Sequence, residues 1–99
     1  MGGVLVNKQI TYEELEATAE LLKVIAHPIR LCIVNGLYIE GGCNVSHMQE
    51  CLNIPQSTVS QHISKLKAAG IIKGTKNGTE ITYELVNEKI KKIIKVIDL

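Results

Sequence analysis

The residues most suited to chemistry lie together at 54–73, IPQSTVSQHISKLKAAGIIK. Ser and Thr are mediocre helix formers because their hydroxyls compete for nearby backbone groups, yet this helix-like stretch crowds them into its first turns beside two Gln. On a helical wheel of about 3.6 residues per turn, Val59, Ile63 and Leu66 share one side. Ser57, Gln61, Ser64 and Ala68 point the other way, flanked by Thr58, Ser60 and Lys65, with Gln56 at the tip. Uncharged donors and acceptors of this kind suit base edges in a DNA major groove: Gln bonds adenine bidentately, Ser and Thr reach several bases, and the Thr methyl can touch that of thymine. Gln56, Ser57, Thr58, Ser60 and Gln61 are therefore the candidate base contacts. Lys65, Lys67, Lys73 and Lys76 are left for phosphates.

A second group of reactive side chains is Cys43, His47 and Cys51, four residues apart. His47 and Cys51 can share one helical face and hold zinc or copper. Asn44, however, is placed to cap that helix, which leaves Cys43 in the loop before it, so the expectation is no metal site and no cofactor. Cys32 stands apart as a modifiable thiol. The residues show no Ser-His-Asp grouping, pocket-forming carboxylate pair or glycine-rich phosphate loop, so no enzyme and no small-molecule substrate are expected.

Ninety-nine residues suffice for one domain with one core. With no Phe or Trp, that core must be built from Ile, Leu, Val and Ala. The net charge of +1 is uninformative, but its distribution is not. Residues 1–50 carry three basic against six acidic side chains, and residues 51–99 carry eight Lys against four acids. From Ile54 through Thr79 there are four Lys and no acid, a local basic surface suited to a polyanion. MGGVLVNKQI lacks the pattern of a signal peptide, and no segment approaches the ~20 apolar residues that cross a bilayer. Three cysteines are unlike a secreted disulfide framework. These features predict a soluble, intracellular protein in a reducing cytoplasm, with no membrane partner.

The elements that must position these groups follow from capping and periodicity. Residues 1–10 read as a flexible arm, and residues 11–99 as the DNA-binding and dimerisation domain. Thr11 and Glu14 have the capping-box spacing that starts a helix. Pro28 separates it from a second, nearly all-apolar helix that Gly41-Gly42 ends. Asn44 caps a short third helix. The opening stretch is the fourth, closed by Gly70. Asn77-Gly78 between IIKGTK and TEITYEL predicts a two-residue hairpin loop, pairing Ile72 with Tyr83 and Gly74 with Ile81. Asn87 caps a last helix. The fold class is mostly α with a small β-hairpin, a winged helix-turn-helix of order α-α-α-α-β-β-α. The wing, residues 71–85, can set Lys76, Asn77 and Thr79 against the backbone or minor groove. Apolar stripes on the first helix (Tyr12, Leu15, Leu22) and the last (Ile90, Ile93, Ile94, Ile97) exceed what one small core can cover. They predict a homodimer on an inverted-repeat operator. The alternatives from these residues are an effector-switched sensor, responsive to thiol chemistry or metal, and a protein-interaction module.

AHPIRLCIVNGLY resembles the His-Pro-x-Arg second helix of the ArsR/SmtB repressors. PQSTVSQHISKLKAAGIIK resembles their recognition helix and the start of their wing, and GTEITYEL their second wing strand. The similarity spans roughly residues 15–97 and is greatest to the small repressors of the anthrax protective-antigen operon type, which lack metal sites. It implies a dimeric winged-helix repressor of transcription whose base readers fall on Gln56, Ser57, Ser60 and Gln61. Pro55 replaces a capping Ser found in many relatives. The Cys-Val-Cys metal box of other relatives falls on Asn44 and Ser46, and the last helix lacks the His of a second known zinc site. Some relatives join the second and last helices by a disulfide, but here only Cys32 is present, with no cysteine on the last helix.

Overall fold

The computed structural model describes residues 9–99. The expected flexible arm therefore lies largely outside the described residues. Helix α1, Tyr12–Ile25, begins at the predicted capping box: Thr11 Oγ1 accepts from Glu14 N at 3.1 Å, and Glu14 Oε2 accepts from Thr11 N at 3.2 Å. Helix α2, Pro28–Glu40, starts on His27, whose Nδ1 accepts from Ile29 N at 3.1 Å, and ends at Gly41 with φ +90°. Strand β1, Cys43–Asn44, leads into α3, Val45–Leu52, where Asn44 Oδ1 accepts from His47 N at 2.8 Å. Helix α4, Gln56–Ala68, is followed by β2, Ile72–Asn77, β3, Glu80–Leu85, and α5, Glu88–Ile97, capped by Asn87.

The sheet has the order β1-β3-β2. The third strand was not anticipated: Cys43 pairs with Tyr83 and Asn44 with Thr82, and two residues are too short to leave an alternating pattern. The hairpin differs in register from expectation. Asn77 pairs with Glu80, so the loop is Gly78-Thr79 and not Asn77-Gly78. Gly78, at φ +65°, takes the first loop position, where a type II′ turn requires positive φ. Ile72 now faces Leu85, and Gly74 faces Tyr83. The shift displaces each partner by two residues, so the inward and outward faces stay as predicted. Gly74 explains the choice. A Cβ there would lie 2.9 Å from Tyr83 Cε1 and 3.0 Å from Ile81 Cγ2, so the residue opposite the buried Tyr83 ring must be glycine.

The core joins all these layers. Ile33, Val34 and Leu37 of α2 meet Val59, Ile63 and Leu66 of α4, Ile71 and Ile72, Tyr83 and Leu85 of the wing, and Ile90 and Ile94 of α5. The expected dimer stripe on α5 divides. Ile90 and Ile94 are 0% and 1% exposed within the chain itself, and Ile93 packs partly against the same core. Helix α5 thus turns most of its isoleucines inward and leaves Ile97 outside, with Val96 and, past its end, Leu99. Helix α1 does the reverse. Its inner contacts come from Leu21, Val24 and Ile25, while the predicted stripe of Tyr12, Leu15 and Leu22 is left open to solvent.

Candidate nucleic-acid interface

Helices α3 and α4 form the helix-turn-helix. Asn53, in the left-handed conformation at φ 54°, ends α3, and Pro55 begins α4 at φ −58°. Pro55 has no side-chain cap to offer, but its carbonyl accepts from Thr58 N at 3.0 Å and Val59 N at 3.2 Å. The N–H groups of Gln56 and Ser57 are thus left without a side chain folded over them, the arrangement that attracts phosphate.

Val59, Ile63 and Leu66 are buried, as the wheel requires, and Gln56, Ser57, Ser60 and Gln61 are exposed side by side. Thr58 is only half-exposed. Lys65, Lys67, Lys73, Lys76, Asn77 and Thr79 are all exposed. A notch of about 210 Å³ lined by Asn44, Val45, Ser46, Gln56, Thr79 and Glu80 separates the start of α4 from the wing tip. The wing is less basic than the run from Ile54 to Thr79 suggests, because the return strand sets Glu84 across from Lys73 and Glu80 across from Asn77.

Arg30 is the supporting residue that composition and periodicity missed. Its Nε donates to the Val24 carbonyl at the end of α1, and its Nη1 lies 3.2 Å from His62 Nδ1 on α4. His27 stacks obliquely on His62, with ring centroids 4.6 Å apart. The His-Pro-x-Arg motif is thereby explained: His27 caps α2, Pro28 begins it, and Arg30 ties α1 and α4 to it. The resemblance was the available signal, since Arg30 is set by its partners and not by any period.

Because Arg30 donates to Nδ1, the His62 ring is held in its neutral form. Burial lowers its pKa below the ordinary value, helped by His27, Arg30 and Lys65. A base with a depressed folded pKa stabilises the fold above its unfolded pKa of about 6.5, and that contribution is lost as pH falls below it. Thermal unfolding is thus expected to shift downward between roughly pH 7 and pH 5, with a smaller shift in His62→Gln. An equal pH dependence in the two proteins would reject this account of His62.

A profile described as a helix-turn-helix domain matches residues 25–75. The chain is 45% identical to the transcriptional repressor PagR of Bacillus anthracis over 95 residues, covering 96% of this chain and 95% of that protein. It is 39% identical over 82 residues to the transcriptional repressor SmtB of Mycobacterium tuberculosis, covering 83% of this chain and 60% of that protein. The chain belongs to the ArsR/SmtB family. The crystal structure of PagR superposes with a TM-score of 0.82 over 89% of this chain and 100% of that one. HlyU from Vibrio cholerae, 25% identical, superposes with a TM-score of 0.83 over 88% of this chain and 94% of that one. The fold is the family's winged helix-turn-helix, and the chain is a transcriptional repressor of the ArsR/SmtB family, not an enzyme. No helix among the described residues is long and apolar enough to cross a membrane.

None of the three cysteines lines the notch between α4 and the wing. Cys32 of α2 is exposed, and it lines a cleft of about 240 Å³ between α2 and α3 with Cys43, His47 and Cys51. Glu40, at the end of α2, lines it too. Glu40 and Cys43 fall on opposite sides of the Gly41-Gly42 turn, where Gly41 at φ +90° ends α2, and their ligand atoms lie within 4.8 Å of each other.

Proposed function

We propose that this repressor binds as a homodimer to an inverted-repeat operator in the bacterial cytoplasm, on the nucleoid. Helix α4 of each subunit enters the major groove, and the wing lies on the backbone or in the minor groove. The observation that carries the reading is the exposed row Gln56, Ser57, Ser60 and Gln61, free of acids and of large apolar groups, on a helix whose other side is locked into the core. Such a row reads base edges. Thr58 takes a lesser part, since it is half-exposed. The wing tip, Lys76, Asn77 and Thr79, together with Lys65, Lys67 and Lys73, takes the phosphates.

Dimerisation is supported by the uncovered apolar face. Tyr12, Leu15 and Leu22 of α1 are exposed, as are Val96, Ile97 and Leu99 at the end of α5. The first turn of α5 meets α1, with Lys89 Nζ donating to Thr18 Oγ1 at 3.2 Å. Exposed apolar side chains on both helices suit an interaction surface. A two-fold pair through α1 and α5 sets two recognition helices roughly one DNA turn, about 34–36 Å, apart.

Binding to the DNA upstream of the repressor's own gene, measured by gel shift against salt, tests the reading. Affinity should fall with a log–log slope of roughly −0.9 per phosphate contact. Gln56→Ala and Gln61→Ala are each expected to cost ~1–3 kcal/mol of discrimination between operator and random DNA, while non-specific binding stays as it was. Unchanged discrimination in both variants would remove these residues from the readout.

A further inference from the structure

The cleft between α2 and α3 gathers donors that DNA binding does not use. Glu40 at the end of α2, Cys43 of β1 and His47 of α3 each bring a ligand atom to within 4.8 Å of the other two. His47 Nε2 lies 3.3 Å from Glu40 Oε2. Cys51, one turn further along α3 on the same face, places its Sγ 3.9 Å from His47 Nε2. Tetrahedral coordination with bonds of roughly 2.0–2.3 Å sets ligand atoms about 3.3–3.8 Å apart. The His–Glu separation of 3.3 Å already has that size, the His–Cys51 separation of 3.9 Å lies just above it, and Cys43 Sγ, within 4.8 Å of the Glu40 and His47 donor atoms, has to draw closer to complete the set. Two thiols, an imidazole and one carboxylate form a soft set that suits a d¹⁰ divalent cation and not Mg²⁺ or Ca²⁺.

We propose that Glu40, Cys43, His47 and Cys51 form a four-coordinate site for a thiophilic divalent cation of the Zn²⁺ or Cd²⁺ kind. On binding, each thiol releases its proton to solvent, and the ion takes two thiolates, one carboxylate and one neutral imidazole. The electrostatics of the cleft agree with this. Burial, then Glu40, then Cys51 push the Cys43 thiol above its ordinary range, and a dication relieves the repulsion these groups create together. The donor positions differ from those of the family's known Cys-Val-Cys box, which fall on Asn44 and Ser46 and cannot ligate in the same way. The site also reverses the expectation that capping by Asn44 strands Cys43. Asn44 does cap α3, yet Cys43, paired with Tyr83 in the sheet, still has its Sγ within 4.8 Å of the His47 donor atom, where it now donates to the Asn44 carbonyl at 3.4 Å. An ion here links the end of α2, a strand of the wing sheet and the first helix of the helix-turn-helix.

The site is tested on the whole reduced protein, without DNA, so its outcome is independent of the operator reading. Titration with Co²⁺ should give one ion per chain, with the thiolate-to-metal charge-transfer band and the intense visible bands of tetrahedral Co²⁺. Zn²⁺ should displace it stoichiometrically. Cys43→Ser and His47→Ala are each expected to weaken Zn²⁺ binding at least tenfold against a competing chelator. Cys32→Ser, outside the donor set, should bind as the parent does. Circular dichroism checks that the variants remain folded, and both altered side chains are at least partly solvent-accessible. Absence of a thiolate band, or Zn²⁺ affinity unchanged in both Cys43→Ser and His47→Ala, overturns the proposal.

Discussion

Leu22→Glu is expected to produce a folded monomer that has lost at least about 100-fold in operator affinity. In the single chain Leu22 is 44% exposed, so exchanging it for a charged side chain alters the subunit's own stability by no more than about 0.5 kcal/mol. At a two-fold interface through α1 the same carboxylate is buried without a cation in each subunit, and an unpaired buried charge costs several kcal/mol. DNA binding feels this indirectly. Two recognition helices held in one particle bind their half-sites with an effective concentration that is lost when the subunits part, which removes roughly 10²–10⁴ of avidity. Sedimentation velocity and gel shift on the same preparation decide the matter. A variant that remains dimeric and binds with parental affinity would show that α1 is not the subunit interface. Leu22 is a better probe than Ile90 or Ile94, whose substitution damages the subunit before it reaches any interface.

Leu66→Ala is expected to destabilise each subunit by about 3 kcal/mol, within the ~2–5 kcal/mol that large-to-small core changes cost. Leu66 is 0% exposed and lies on the inner side of α4 beside Val59 and Ile63. Removing it leaves a void where the recognition helix meets the rest of the core. For a domain of this length, each kcal/mol is worth roughly 4–8 °C in Tm, so melting should fall by about 12–24 °C at fixed protein concentration. Chemical denaturation at constant m-value gives the free energy directly. A loss below about 1 kcal/mol would mean that α4 is held chiefly by Arg30 and the turn, and not by its apolar stripe. Comparison with Gln61→Ala separates the two sides of the helix: one change lowers stability, and the other lowers discrimination between DNA sequences at unchanged Tm.

Much of the fold was legible because its signals are local. Thr11 with Glu14, Asn44 and Asn87 each cap the helix they precede, since a cap needs only a side chain and the backbone two or three residues on. The division of α4 into an apolar side and an exposed polar side follows from about 3.6 residues per turn and nothing else. Hairpin position was harder. Moving every pair by two residues leaves the alternation intact, so Asn77-Gly78 and Gly78-Thr79 loops predict the same faces.

By itself, then, the sequence determined the helices, their caps, the presence of a wing and the row of neutral side chains that faces away from the core, because each depends on neighbours a few residues apart. Only the tertiary structure decided which of two similar apolar stripes is covered. Helix α5 spends Ile90 and Ile94 on the chain's own core, and α1 leaves Leu15 and Leu22 outside. It also decided that Gly74 must oppose the Tyr83 ring, that Arg30 joins three helices, and that Glu40 and Cys43 meet His47 across the α2–α3 cleft. The Gly74–Tyr83 and Arg30–His62 contacts join separate elements and the Glu40 contact crosses a turn, so each is fixed by how the elements meet and no periodicity along the chain records it.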